Sequence, residues 1–163
     1  RAGNGPANLS SDIVYQMTQD DRGRYWISTE NGLNLLQFDG KGYQNPKIKV
    51  YQSDDSPNSL RSNSILSTFI SSNKTLWVTS QNGIHRYNEQ TDDFTPFGKE
   101  EGLSNDYVYS ILQDNNENLW MSTNDGLFQF NPKTKKFTHF TQKDGLMLQK
   151  IERTTNCKFQ KIG

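Results

Sequence analysis

With 163 residues the chain is long enough for one ordinary domain with a core of its own. Its apolar content of 31% leans toward disorder, yet three Trp, nine Phe and seven Tyr make a polar, aromatic-rich β protein the better expectation. Eighteen basic residues balance eighteen acidic ones, which leaves no net field for a nucleic-acid backbone or an anionic membrane, and no run approaches the roughly 20 apolar residues of a spanning helix.

The chain opens "RAGNGPANLSS", with neither an initiator Met nor a signal peptide, and is expected to be a segment of a longer polypeptide. Its single cysteine, Cys157, excludes an internal disulfide and any multi-Cys zinc cluster.

From Leu9 onward the pattern is one of short strands. "DIVYQM" leads through a polar turn to "YWIST", then "NG", then a strand to Phe38-Asp39, and a closing strand ends at Tyr51. The order recurs from Leu60: "SILSTFI", "LWVTS", "NG", a strand to Tyr87-Asn88, and "FTPF" to Phe97. From Leu103 it recurs again: "YVYSIL", "LWMST", "DG", a strand to Phe130-Asn131, and "FTHF" to Phe140.

Each unit places its Trp (Trp26, Trp77, Trp120) 17 positions after its Leu, and a glycine (Gly32, Gly83, Gly126) six positions after the Trp. The first strands are apolar on both faces, as strands covered on both sides require. Asn-Gly or Asp-Gly between the second and third strands predicts a type I′ hairpin turn. No helical period is sustained.

Units of about 43 residues with four antiparallel strands cannot bury both faces alone, so the expected fold is all-β. Three consecutive four-stranded antiparallel blades of a β-propeller stack radially in an incomplete ring. The whole of 1–163 is read as a partial β-propeller, with blade one at about 9–59, blade two at about 60–102 and blade three at about 103–145. Residues 146–163 blur the pattern and are read as a partial blade, a closing strand or a tail. Propellers close with about four to eight blades, so the two open ends call for further blades or for a second copy of the chain.

The fixed offsets of Leu-Trp, Ser-Thr, Asp/Asn-Gly and the following aromatic resemble the two-component regulator propeller repeat over roughly Leu9 to Leu146. Three places depart from the pattern: Tyr25 replaces Leu before the first Trp, Thr79-Ser80 replaces Ser-Thr, and Ser71 stands where the other units carry Asp20 and Asp114. The resemblance implies the extracytoplasmic, periplasmic sensor domain of a hybrid two-component system. Such a domain would bind an oligosaccharide, or relay its binding, to a transmembrane histidine kinase outside this segment. Two other readings stay open: a lyase or carbohydrate-active enzyme on a propeller scaffold, and a purely structural, dimerising propeller.

The repeated Trp and Gly residues are read as structural, because a ligand site is rarely copied in every blade. "DNNEN" (Asp114, Asn116, Asn118) has the odd-position oxygens of a calcium loop, but Leu119 occupies the place that needs Gly, so no metal and no cofactor is expected. His85 and His139 share no spacing, the paired carboxylates Asp54-Asp55, Asp92-Asp93 and Glu100-Glu101 point apart, and no nucleophile or phosphate-loop motif occurs, so no catalytic residue is assigned. What remains is one rim, formed by the hairpins between second and third strands and by the links between blades. It carries Glu30, Asn31, Gln81, Asn82, Asn124 and Asp125 with Arg61, Asn63, Asn105 and Asp106. Arg61, Asn63, Gln81, Asn82, Asp106, Tyr107, Asn124 and Asp125 are the candidate ligand-binding residues, suited to a hydroxyl-rich carbohydrate.

Overall fold

The computed structural model describes residues 8–38 and 45–144; the expectations for the tail at 146–163, for Cys157 and for Asp39 lie outside them. Among the described residues, twelve strands form three separate sheets. The first holds β1 (Val14–Gln19), β2 (Tyr25–Thr29), β3 (Gly32–Phe38) and β4 (Pro46–Tyr51). The second holds β5 (Ile65–Ile70), β6 (Leu76–Ser80), β7 (Gly83–Asn88) and β8 (Asp93–Phe97). The third holds β9 (Val108–Gln113), β10 (Leu119–Thr123), β11 (Gly126–Asn131) and β12 (Lys136–Phe140).

Within each sheet the strands pair in chain order and antiparallel, as polar turns of two to seven residues dictate. The inner strands β1, β5 and β9 lie side by side from blade to blade. Among the described residues the ring is not closed, and the three sheets are blades of an open β-propeller array.

Two apolar layers hold the blades together. Between blades one and two, Trp26, Leu33, Tyr51, Ile65, Val78, Tyr87 and Phe94 are buried. Between blades two and three, Trp77, Ile84, Phe97, Met121, Phe128 and Phe130 are buried. The alternation of side chains along a strand sends each Trp toward the blade that follows it. Trp26 lies 4.8 Å from the Tyr87 ring and Trp77 5.7 Å from the Phe130 ring, centroid to centroid. Trp120 obeys the same rule, but no described blade follows, so it is half-buried and packs on Phe140 of its own sheet at 4.9 Å.

The expectation that every first strand is covered on both faces fails in blade one. Val14 is 46% and Met17 59% exposed, with Ile13 and Tyr15 also exposed. The outer face of β1 requires a preceding blade, and none is present among the described residues. In β5 and β9 the equivalent apolar residues Ile65, Val108 and Ile111 are buried.

The hairpin turn also differs from expectation. Thr29 pairs with Gly32, Ser80 with Gly83 and Thr123 with Gly126, so the two loop residues precede the glycine. Positive φ is carried by the glycine alone, at 126° in Gly32 and 90° in Gly83. This is the longer hairpin closed by a positive-φ glycine, whereas a type I′ turn would put positive φ on Asn82 as well. A Cβ on Gly83 would sit 2.4 Å from the Phe97 carbonyl oxygen, so the site is closed to any side chain.

Candidate functional site

In blades one and two the rim is built by welding the hairpin to the links on either side of the blade. Gly32 N donates to the Asn63 carbonyl at 2.6 Å, and Gly83 N donates to the Asp106 carbonyl at 2.7 Å. The incoming link is fixed from within the same blade. Ser10 N donates to Asn34 Oδ1 at 2.9 Å in blade one, and Arg61 N donates to His85 Nε2 at 2.9 Å in blade two. The hairpin amides close the loop: Asn31 Nδ2 donates to the Ser10 carbonyl and Asn82 Nδ2 to the Arg61 carbonyl. One acceptor on the third strand and one amide in the turn therefore hold the backbone of every link that has them.

The candidate ligand-binding residues fall into two clusters on this rim. In blade two, Asn63 Oδ1 accepts from Ser53 N at 2.7 Å, Gln81 Nε2 donates to Ser64 Oγ at 3.1 Å, and Asn82 is committed to Arg61. The Arg61 side chain is exposed, with Nη2 3.4 Å from the Pro57 carbonyl. In blade three, the Asp106 carboxylate meets Lys99 at 3.3 Å, and Asp125 receives Ser104 Oγ at 3.4 Å and lies 3.7 Å from His139. Tyr107 packs on Tyr109 with centroids 4.8 Å apart, and Tyr109 OH donates to Asn124 Oδ1.

Tyr109 is a rim residue that sequence reasoning did not single out. So is Tyr15, whose hydroxyl donates to Glu30. The signal was available, since both Tyr stand on a first strand 15 residues before the turn residue they touch.

Burial shapes the titration of this rim. His85 is fully buried, and burial together with the Arg61 charge pushes its imidazole down to about 4. The ring is neutral above that value, which suits the acceptor role of Nε2.

The opposite rim, formed by the hairpins joining first to second and third to fourth strands, carries the charge networks. Asp20 receives the backbone N–H of Arg22 and Arg24, the Arg24 side chain at 2.6 Å and Trp26 Nε1 at 3.0 Å. Burial raises its pKa, but these donors outweigh burial and hold the carboxyl below the ordinary range. Asp114 does the same in blade three, with Asn116 N, Asn118 N and Trp120 Nε1 as donors. Across the first interface, Arg22 and Arg24 reach Glu89, and Asp92 accepts from Tyr51 OH at 2.6 Å, Tyr87 OH at 2.7 Å and Lys49. Burial, with Asp92 adding to it, pushes the Tyr87 hydroxyl up to about 12.

Two grooves open on this side. One of about 620 Å³ lies between blades one and two beside Arg24, Trp26, Tyr87 and Glu89. The other, of about 240 Å³, lies between blades two and three beside Trp77, Arg86 and Lys133. Among the described residues no group of three or more His, Cys, Asp or Glu could hold a metal ion, and no helix is long and apolar enough to cross a membrane.

The sequence profile described as "two component regulator propeller" matches residues 8–31 and 102–125, the starts of the first and third units. No curated protein matches the chain at a significant level. Among solved structures, the extracellular domain of a hybrid two-component system from B. thetaiotaomicron is 27% identical with a TM-score of 0.70, covering 83% of this chain. The chain spans only 19% of that structure. Virginiamycin B lyase from Staphylococcus aureus, crystallised with quinupristin, is 20% identical with a TM-score of 0.59, over 82% of this chain and 43% of the lyase. PorZ, a surface component of the type-IX secretion system of Porphyromonas gingivalis, is 16% identical with a TM-score of 0.60, over 86% and 21%. These last two share the fold alone. The repeated blade, the two matched segments and the likeness to an extracellular sensor domain agree: the chain is similar to two-component regulator propeller repeats, with residues 8–31 and 102–125 matching that family directly.

Proposed function

We propose that the chain is a piece of the extracytoplasmic, ligand-sensing propeller of a hybrid two-component system, and that it binds an oligosaccharide on the hairpin rim or relays its binding to a transmembrane histidine kinase. The observation that carries this reading is the likeness over 83% of the chain to the extracellular domain of such a system. The Tyr107–Tyr109 pair, the exposed Arg61 and the amides of Asn82 and Asn124 support a hydroxyl-rich ligand, since sugars stack on aromatic faces and bond to amides and guanidinium groups. Ligand held there would favour one arrangement of the sensor only through unequal affinity for its arrangements. The uncovered faces at Met17 and Trp120 are to be completed by further blades of a longer polypeptide or by a second copy, which sedimentation velocity separates as monomer or dimer.

Calorimetry against a panel of plant and host oligosaccharides, with product analysis, tests the reading. Saturable heat without turnover is the expected outcome. Turnover would replace the sensor with an enzyme on a propeller scaffold, and silence toward the whole panel would leave a structural propeller.

A further inference from the structure

A carboxylate six residues before the Trp is present in blades one and three and absent from blade two, where Ser71 takes its place. Asp20 Oδ2 accepts from Trp26 Nε1 at 3.0 Å, and Asp114 Oδ2 accepts from Trp120 Nε1 at 2.9 Å. Ser71 Oγ is instead directed into its own turn, 2.6 Å from Asn73 Oδ1 and 3.0 Å from the Thr75 carbonyl oxygen. The Trp77 indole N–H is left without an acceptor among the described residues, although the side chain is only 3% exposed.

Trp77 lines the groove of about 240 Å³, and Arg86 lines it too. Arg86 is directly opposite Trp77 in the pairing of β6 with β7, so the two side chains leave the sheet on the same face. The corresponding residues are Leu35 in blade one and Gln129 in blade three, so the cation belongs to blade two alone. Arg86 is half-buried, and among the described residues neither a carboxylate nor a carbonyl holds its guanidinium. The one carboxylate lining the groove, Glu117, is already paired with Lys133 at 3.1 Å.

A guanidinium and an indole N–H with no acceptor among the described residues, both lining one small groove, are a recognition element with its partner missing. The sister blades show the chemistry of that partner. We infer that this groove binds a small oxyanion, the carboxylate or sulfate group of a ligand, at the place where blades one and three hold their own aspartate. One oxygen accepts from Trp77 Nε1 and the other faces Arg86, whose planar fork suits either group. The volume is below the roughly 300–1,000 Å³ of a typical ligand pocket, so the groove takes the anionic end of a ligand and leaves its remainder outside, on the same side of the blades as the groove mouth.

The inference is independent of the oligosaccharide reading, and its test uses sodium acetate and sodium sulfate against sodium chloride at matched ionic strength. The three indole N–H resonances, assigned by Trp→Phe variants, are followed by two-dimensional NMR. The Trp77 resonance is expected to move saturably with acetate, sulfate or both, while those of Trp26 and Trp120 stay in place; movement with one anion alone upholds the proposal and names the group. Arg86→Gln, which installs the residue of blade three, is expected to weaken binding roughly tenfold or more. Ser71→Asp supplies the carboxylate internally: it is expected to abolish the titration, displace the Trp77 resonance in the absence of anion, and raise the melting temperature. No saturable movement with either anion, or titrations unchanged in Ser71→Asp or Arg86→Gln, would overturn the inference, and the Trp26 and Trp120 resonances report that each variant is folded.

Discussion

Truncation of Trp26 or Trp77 to Ala is expected to destabilise the protein by about 3–5 kcal/mol, the range for large aromatic side chains removed from a packed core. The same truncation at Trp120 is expected to cost only about 1–2 kcal/mol, because it is only partly buried, with no described blade packed over it. The three residues occupy one position of one repeat, so sequence alone assigns them equal weight. What separates them is the following blade: Tyr87 and Tyr51 close over Trp26, Phe97 and Phe130 over Trp77, whereas among the described aromatic rings Trp120 packs on Phe140 of its own sheet alone. Urea denaturation followed by circular dichroism measures the three costs without relying on Trp fluorescence. Equal losses in all three variants would mean that Trp120 is covered as the others are, and would contradict the open array.

Stability is also expected to fall by about 3 kcal/mol between neutral pH and pH 4 through His85 alone. The imidazole is held at about 4 in the folded protein by burial, against 6.5 in the unfolded chain. Above 6.5 both states are neutral and His85 makes stability independent of pH. As pH falls from 6.5 to 4 the unfolded state takes up a proton that the folded state refuses, so stability declines across that window and levels off below it. Asp20, Asp92, Asp114 and Glu89, whose carboxyls all lie below their ordinary values, add their losses only at the acid end. The interval from pH 6.5 to about 4.5 therefore isolates the histidine. His85→Asn keeps an acceptor for Arg61 N, as Asn34 does for Ser10 N in blade one, and is expected to flatten the decline by about one proton. An unchanged slope in His85→Asn, measured by urea denaturation at several pH values, would refute the assignment.

The blades were legible because their chemistry is local and repeated. Strand alternation, the Trp spacing and the glycine all report short-range constraints, and each is found where the pattern put it. The turn type was not legible. Asn82-Gly83 suits two hairpins, and the link whose Asp106 carbonyl accepts from Gly83 N comes from the following unit of the chain. Exposure of β1 was hidden for the same reason: Val14 and Met17 read as core, and they lie in water because no blade among the described residues covers them.

The rim residues were legible as polar and turn-forming but not in their duties. Asn82 and Asn63 hold backbone of the links, whereas Tyr109, which joins Tyr107, sits inside a strand whose pattern suggested only core. The exchange of aspartate for Ser71 was visible in the sequence, but its consequence was not, because the indole it leaves without an acceptor and the guanidinium of Arg86 meet only through strand pairing.

Hydrogen exchange of the backbone amides tests the stacked, open array most directly. Blade two is flanked on both sides, so the amides of β6 and β7 are expected to be the most protected in the molecule. Those of β1, whose outer face is bare, and of β12, at the far edge, are expected to exchange fastest among the strands. Equal protection in all three blades, or greatest protection in β1, would contradict the account.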